Sequence, residues 1–237
     1  MNRTILITVL TAALAWPLSS GCKPKAEPAG PEGKEAGEQE EVGEPAGEPE
    51  GEEAEETEET EEKPVTAGKK AVMIIACKDF QDDELAEPKK ALEEAGVAVT
   101  VASTSTEGCK GMMGTEVTPD ELVEDLDADD FDIAVFVGGS GSAAFYDDED
   151  VLEFARASDD EGLVIGAICL APGILARAGI LDGLKATAYD AEKARNALEE
   201  GGATYTGETV TVDGVVVTGN GPGAAKEFGA KLVEILE

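Results

Sequence analysis

From about residue 70 onward, the chain alternates short apolar runs with stretches in which apolar residues recur at helical spacing. Ala71–Cys77 and Leu163–Ile168 are almost wholly apolar, as expected of strands buried on both faces of a sheet. Leu85 and Leu92 belong to a stretch with helical spacing, and Gly96 follows it directly, a residue type that commonly ends helices. This alternation predicts a domain of mixed strands and helices.

The pattern predicts six strands, at 71–77, 97–102, 131–137, 163–168, 209–212 and 215–218, and six helices, at 82–95, 119–126, 148–157, 170–178, 191–200 and 223–236. Alternating strands and helices predict an α/β fold, a flavodoxin-like three-layer sandwich whose mostly parallel sheet is covered on both faces. In such sheets the working site lies beyond the carboxyl ends of the strands. Cys77, Gly138, Gly139 and Cys169 all fall at predicted strand ends, which predicts a site there.

The first 22 residues have the organisation of an export signal. Arg3 precedes an apolar run at 5–16 that is too short for a stable membrane span, so residues 1–21 are predicted to be a signal peptide. The small residues before Cys22 resemble the lipobox of bacterial lipoproteins, although Leu18 lies one place further from the cysteine than usual. The resemblance implies lipidation of Cys22 and anchoring in a membrane; an ordinary cleaved signal with an incidental cysteine is the alternative.

Residues 23–68 consist mainly of glutamate, proline, glycine and alanine. Such a segment offers little to bury and its like charges repel, so 22–68 is predicted to be a lipidated cysteine followed by a disordered linker, with the folded domain at 69–237. Lys23 and Pro24 include no aspartate of the kind that retains lipoproteins in the inner membrane, which favours the outer membrane or the periplasmic face. The net charge of −34 argues against nucleic acid as a partner.

The cysteines and the missing histidine restrict the chemistry. With no histidine among 237 residues, Cys-His and Ser-His mechanisms and histidine metal ligands are excluded, and nothing in the sequence demands a metal or an organic cofactor. Cys77 and Cys109 follow the first two predicted strands, so a disulfide between them and two free thiols both remain open.

Gly166–Gly173 is predicted to form a strand, a sharp turn and a helix start around Cys169. This is the form of a nucleophile elbow, and a thiol at a helix N-terminus is expected to favour its thiolate. The alternative from spacing alone is a buried structural cysteine at a strand end.

Four segments together resemble the DJ-1/PfpI superfamily, which shares a class I glutamine amidotransferase-like fold. They are the elbow with Ala178–Gly183, the loop Phe80–Pro88, the turn Val137–Gly139 and the segment Gly219–Phe228. Their order along the chain is that of the family, and the resemblance extends over essentially all of residues 70–237.

The resemblance implies a role for each matching residue. Cys169 would be the nucleophile, and Glu84, as a protonated carboxyl beside its sulfur, would donate and accept the proton. The backbone amides of Gly139 and Leu170 would form an oxyanion hole, with Gly138 and Tyr189 in the pocket. For Glu84 the alternative is a solvated carboxylate at a helix start, and for Tyr189 it is ordinary packing.

The resemblance also limits the function. Peptidase-like members carry histidine directly after the cysteine, where this chain has Leu170, so a peptidase is disfavoured. The remaining hypotheses are glyoxalase- or deglycase-type chemistry on a small α-oxoaldehyde, a redox-sensing or stress-protective holdase without turnover, and a catalytically silent binding domain. Family members often form homodimers, but no residue here fixes an interface.

Overall fold

The computed structural model describes residues 65–237. The predicted signal peptide at 1–21, the lipidation of Cys22 and nearly all of the linker at 22–68 lie outside these residues. Residues 65–68 form a turn in which the buried Thr66 hydroxyl donates to the carbonyl of Ala95. Within 65–237, no helix combines the length and apolarity needed to cross a membrane.

The domain contains strands and helices in alternation. The strands are β1 (Lys70–Ile74), β2 (Lys78–Phe80), β3 (Ala98–Ser103), β4 (Cys109–Gly111), β5 (Glu116–Val117), β6 (Glu121–Leu122), β7 (Ile133–Phe136), β8 (Val164–Ile168), β9 (Lys185–Ala186), β10 (Thr204–Tyr205), β11 (Val210–Asp213) and β12 (Val216–Gly219). The α-helices are α1 (Asp82–Glu94), α2 (Glu149–Asp160), α3 (Pro172–Ala178), α4 (Glu192–Glu200) and α5 (Ala225–Leu236).

Seven strands form the central sheet in the order β11-β12-β8-β7-β1-β3-β6. All neighbours are parallel except β11 and β12, which form a hairpin that turns at Gly214 and Val215. One core packs α2, α3 and α4 against one face of the sheet, and a second packs α1 and α5 against the other. The predicted α/β three-layer fold with a mostly parallel sheet is therefore confirmed.

The helix predicted at 119–126 is wrong. The segment contains the short edge strand β6, which pairs with β3, and a single 3-10 turn at Val123–Asp125. Asp120 holds this conformation, because its carboxylate accepts from the Val101 amide at 2.9 Å and its own amide donates to the Val101 carbonyl at 2.7 Å. A side chain that bonds to a neighbouring strand in this way competes with helix formation, and the segment buries only Pro119 and Val123.

The glycine-containing connection between β3 and β6 contains structure of its own. Here β4 pairs with β2 and β5 in a small three-stranded sheet. Cys77 and Cys109 form a disulfide with 4.2 Å between their Cα atoms, which answers the pairing question that the sequence left open. The disulfide joins the loop after β1 to β4.

Candidate active site

Cys169 lies between β8 and α3 in a strained turn. Its φ of 64° is in the left-handed region, which non-glycine residues rarely adopt and which is frequent at functional sites. The Cys169 amide donates to the Gly219 carbonyl at 2.8 Å, and the Cys169 carbonyl accepts from the Tyr189 amide at 2.8 Å. These bonds hold the backbone of the elbow from both sides, and the side chain is only 7% exposed.

Glu84 lies in the first turn of α1, and its side chain is fully buried beside Cys169. Gln81 caps this helix, since its side chain accepts from the Asp83 amide at 2.6 Å. The space between Glu84 and Cys169 exists because residue 138 is glycine. A Cβ at Gly138 would lie 2.5 Å from Oε2 of Glu84 and 2.6 Å from Cβ of Cys169.

Burial raises the pKa of Glu84 to about 7, because the charged form loses its water. The Cys169 thiol and the Gly138 backbone act in the opposite direction, and the charge of Asp83 adds a little to the rise. Neither carboxyl oxygen has a protein partner in good hydrogen-bond geometry, so these contacts only partly compensate for burial. A carboxyl with this pKa can hold or release a proton near neutral pH.

Burial, together with a smaller contribution from the negative charge of Glu84, raises the pKa of the Cys169 thiol to about 12. The amides of Gly139 and Leu170 favour the thiolate but do not outweigh these effects. The pKa shift therefore runs opposite to the expectation from the helix N-terminus alone, because desolvation dominates at a buried sulfur. Formation of the thiolate is thus coupled to the protonation of Glu84.

The amides of Gly139 and Leu170 both lie beside the Cys169 sulfur, where an oxyanion hole would require them. Gly139 has a φ of 105° and leaves no room for a Cβ, which would collide with the backbone of Asp79 and Gln81. Its carbonyl accepts from the Ser142 hydroxyl at 2.9 Å. The structure thus brings the two predicted donors together, and their role at a substrate oxygen stays a prediction.

Tyr189 lies along the elbow, where its ring packs on Gly221 and remains 49% exposed. Its backbone amide, described above, is its contact with Cys169. The structure therefore places Tyr189 next to the elbow backbone, and its role in the pocket stays a prediction.

Tyr146 belongs to the site, although sequence reasoning did not identify it. Its hydroxyl donates to the Leu170 carbonyl at 2.6 Å, and its ring fills the space above Gly173, where no Cβ would fit. The Lys193 ammonium lies 4.9 Å from the centre of the ring. Burial raises the pKa of Tyr146 to about 12, with a smaller contribution from charge on Cys169. The sequence feature that could have identified Tyr146 is the aromatic pair Phe145–Tyr146, which follows the turn at Gly138–Gly139 by a few residues.

The loop 77–81 supports the site from behind. Asp79 has a φ of 59°, and the Gln81 amide donates to the Gly138 carbonyl at 3.0 Å. The disulfide holds one end of this loop at Cys77 and α1 continues from the other. The position of Gly139 and the start of the helix that carries Glu84 therefore depend on one short segment.

Gly138→Ala should separate Glu84 from Cys169, because the new methyl group must displace one of them or the Ile168 carbonyl. We expect the free energy of unfolding to fall by about 1–3 kcal/mol, as measured by urea denaturation. Gly108→Ala is the matched control, since a Cβ there meets nothing within 4 Å. Equal stability of the two variants would show that the site is looser than described.

Glu84→Gln should stabilise the domain at alkaline pH. The pKa of Glu84 rises from 4.5 in the unfolded chain to about 7 in the folded one, so the folded state holds a proton that the unfolded state has lost between these values. Stability therefore falls as pH rises through this window, by about 3 kcal/mol in all. Glutamine is neutral and escapes this loss.

Urea denaturation should show the stability gap between Glu84→Gln and the unmodified protein growing from small near pH 5 to about 3 kcal/mol near pH 8. Glu87→Gln, which removes an exposed carboxylate from the same helix, is the control and should show no such growth. A constant gap for Glu84→Gln across this range would mean that Glu84 is not buried as a titrating carboxyl.

A strained cysteine elbow, a buried glutamate and two converging backbone amides on a parallel α/β sheet define a class of cysteine-centred α/β proteins. Comparison with known proteins specifies the class further. Residues 69–235 match the DJ-1/PfpI family, and this chain belongs to that family.

Three relatives show the range of the family. The chain is 40% identical over 169 residues to the uncharacterized protein MJ0967 of Methanocaldococcus jannaschii, covering 71% of this chain and 82% of that protein. It is 31% identical over 173 residues to the glutathione-independent glyoxalase DJR-1.2 of Caenorhabditis elegans, covering 73% and 91%. It is 30% identical over 166 residues to the deglycase PfpI of Pyrococcus furiosus, covering 70% and 99%.

Among solved structures, the ThiJ/PfpI domain protein from Brachyspira murdochii is similar with a TM-score of 0.69 and 33% identity, over 71% of this chain and 98% of that one. This similarity agrees with the α/β fold and its mostly parallel sheet described above. The family thus includes glyoxalases and deglycases, and the relation supports that chemistry at the level of the family.

Proposed function

We propose that this chain is a cysteine-dependent enzyme that acts on small α-oxoaldehydes by glyoxalase- or deglycase-type chemistry. The observation that carries the proposal is the burial of Glu84 against Cys169, with its pKa raised to about 7. A buried acid beside a thiol is expected to cost stability at alkaline pH, and such a cost is common where a residue serves catalysis. The relation to a glyoxalase and a deglycase supports the same chemistry.

The glyoxalase reaction can be written with these residues alone. Glu84 takes the thiol proton while the Cys169 sulfur bonds to the aldehyde carbon, and the proton returns to the carbonyl oxygen to give a hemithioacetal. Transfer of a proton from the former aldehyde carbon to the neighbouring carbon, through an enediol, yields a thioester of a hydroxy acid. Water then breaks the carbon–sulfur bond, which releases the hydroxy acid and restores the thiol. The carbon oxidised and the carbon reduced belong to one molecule, so no external oxidant is needed.

The amides of Gly139 and Leu170 support the steps in which negative charge builds on oxygen. Both lie beside the sulfur and can therefore donate to an oxygen on the carbon that the sulfur attacks. Donors fixed by a folded backbone need no reorganisation during the reaction, which makes them effective.

The test is conversion of methylglyoxal to lactate by the purified protein without glutathione, with the product identified by NMR. Preparations must be free of the host's own glyoxalases. Lactate formed in proportion to protein supports the proposal. A folded protein that forms no lactate refutes it and leaves the redox-sensing, protective or binding hypotheses.

The redox-sensing alternative depends on a readily formed thiolate, since thiolates are the species that peroxide oxidises. The burial of Cys169 and its raised pKa act against that species. Mass spectrometry after dilute peroxide distinguishes the two: stoichiometric oxidation of Cys169 in a protein without lactate formation would favour sensing.

We also propose that the chain is exported and anchored in a membrane through Cys22, with 23–68 as a spacer, and that it assembles as a homodimer. The support for export and anchoring is the sequence of the first 68 residues, and the support for the dimer is membership of the family. Incorporation of a labelled fatty acid that is lost in Cys22→Ala tests the anchor, and light scattering tests the dimer.

A further inference from the structure

A groove beside the elbow contains Tyr189, and its other residues have no role in the chemistry described so far. It has a volume of about 390 Å³ and is lined chiefly by Tyr189, Tyr205, Asn220, Gly221 and Pro222. Two of its walls begin at the hydrogen bonds that hold Cys169, since Tyr189 donates to the Cys169 carbonyl and Asn220 follows the Gly219 carbonyl that accepts from Cys169. The groove is thus joined to the elbow through the backbone of Cys169, whose side chain is not among the lining residues.

The groove is lined by two partly exposed tyrosines. Tyr189 is 49% exposed and Tyr205 is 38% exposed, although large aromatic side chains are usually well covered. Gly221 and Gly207 lie against these two rings and present no side chain to them. The result is a pair of aromatic surfaces beside the side-chain amide of Asn220.

The segments that carry the two tyrosines are held in place by three buried threonines and the half-buried Thr206. The Thr187 amide donates to the Thr218 hydroxyl at 2.9 Å, and the Thr187 hydroxyl donates to the Glu208 carbonyl at 2.7 Å. The hydroxyls of Thr206 and Thr211 lie 2.6 Å apart. Thr187 is two residues from Tyr189 and Thr206 is adjacent to Tyr205, so both rings project from a braced backbone, as in a preformed binding site.

The charges around the groove select against anions. No lysine or arginine is among its lining residues, and Asp190, which is, pairs with Arg195 at 3.3 Å between Oδ1 and Nε. The cation nearest to Asp190 is therefore already bound to a carboxylate, and the net charge of the chain is −34. A phosphorylated or carboxylated ligand would find no unpaired cation in the lining and an opposing field. A neutral ligand with C–H surfaces for the rings and hydroxyls for Asn220 and the backbone fits this lining.

We propose that the groove is a subsite for the hydroxylated tail of a sugar-derived α-oxoaldehyde whose aldehyde carbon reacts with Cys169. The inference rests on the proposed function and extends it from the reacting carbonyl to the rest of the substrate. Under this proposal Tyr205, which is not a catalytic residue, determines substrate specificity.

The test compares two substrates, methylglyoxal and the six-carbon α-oxoaldehyde glucosone, in the full-length protein, Tyr205→Ala and Tyr205→Phe. In Tyr205→Ala we expect the ratio of kcat/KM for glucosone to that for methylglyoxal to fall on the order of tenfold. Tyr205→Phe keeps the ring and should keep the ratio. An unchanged ratio in Tyr205→Ala would overturn the proposal. Because the proposal assigns binding to the face of the ring, an equal fall in Tyr205→Phe would overturn it as well.

A binding measurement separates failure of the groove from failure of the enzymatic proposal. Glucosone is titrated into Cys169→Ala with and without Tyr205→Ala and followed by saturation-transfer NMR, a readout that does not depend on turnover. Transfer that Tyr205→Ala abolishes supports the subsite even if no substrate is consumed. Transfer that is absent, or the same in both proteins, refutes it even if methylglyoxal is turned over.

Discussion

Cys169→Ala is expected to lower kcat/KM for methylglyoxal on the order of a thousandfold or more, to the background of the buffer. In the proposed reaction the sulfur forms the covalent bond on which every later step depends. Among residues 65–237, Cys169 is the one free cysteine, so no other thiol there can take over. The measurement is lactate formation at matched protein concentration.

Glu84→Gln is the second variant to compare in this assay. It keeps the shape of the side chain but removes the proton acceptor, and loss of a general acid–base group typically costs about 10²–10⁴-fold. The same substitution should raise stability near pH 8, as argued above, so a loss of rate cannot be attributed to unfolding. Glu87→Gln is again the control and should retain the rate.

Retained turnover in Cys169→Ala would contradict the covalent mechanism, whatever its effect on stability. If turnover is lost in Cys169→Ala but kept in Glu84→Gln, Cys169 remains the nucleophile and Glu84 is not the group that transfers the proton. The Tyr146 hydroxyl would then need to be tested as the route for the proton. Tyr146→Phe is the test, because it removes the hydroxyl that bonds to Leu170.

Much of the fold was predictable because its signals are local. Continuous apolar runs such as Ile133–Phe136 become central strands, since only a strand covered on both faces buries every residue. The helix that carries Glu84 was predicted for a similar reason, from its spacing and its terminal Gly96. The strand ends then placed Cys169 and Gly138 at one edge, as the topology of parallel sheets requires.

The features that sequence reasoning missed depend on contacts between distant segments. Asp120 disrupts the predicted helix by bonding to Val101, and no local pattern contains that partner. Tyr146 enters the site through the Leu170 carbonyl, 24 positions away. The sequence pattern favoured a readily formed thiolate at Cys169, whereas the pKa is raised. The pattern indicates that the cysteine precedes a helix but not how deeply its sulfur is buried.

The disulfide is the second feature with a large expected effect. It closes a loop between Cys77 and Cys109, whose sequence separation is 32. A closed loop of that length restricts the unfolded chain, which corresponds to about 4 kcal/mol of stability in the chain-entropy description. Reduction, or replacement of both cysteines by alanine, should therefore lower the free energy of unfolding by about this amount.

Urea denaturation with and without a thiol reductant measures the effect. The unmodified protein should lose stability in reductant, whereas Cys77→Ala/Cys109→Ala should be equally unstable in both buffers. Cys169→Ala, which keeps the disulfide, is the control for general effects of the reductant and should lose as much stability as the unmodified protein. If the stability of the unmodified protein does not change in reductant, the two thiols do not pair in solution.

The effect should extend to the site, because the loop that begins at Cys77 supports Gly139 and leads into the helix of Glu84. Without the bond, Cys77 is held to β4 by the backbone alone, through the Lys110 amide that donates to its carbonyl at 2.9 Å, and the strained φ of Asp79 has one constraint fewer. We therefore expect the doubly substituted protein to turn over methylglyoxal more slowly even at temperatures where it is fully folded. A rate equal to that of the unmodified protein would show that the disulfide stabilises the fold without positioning the catalytic group.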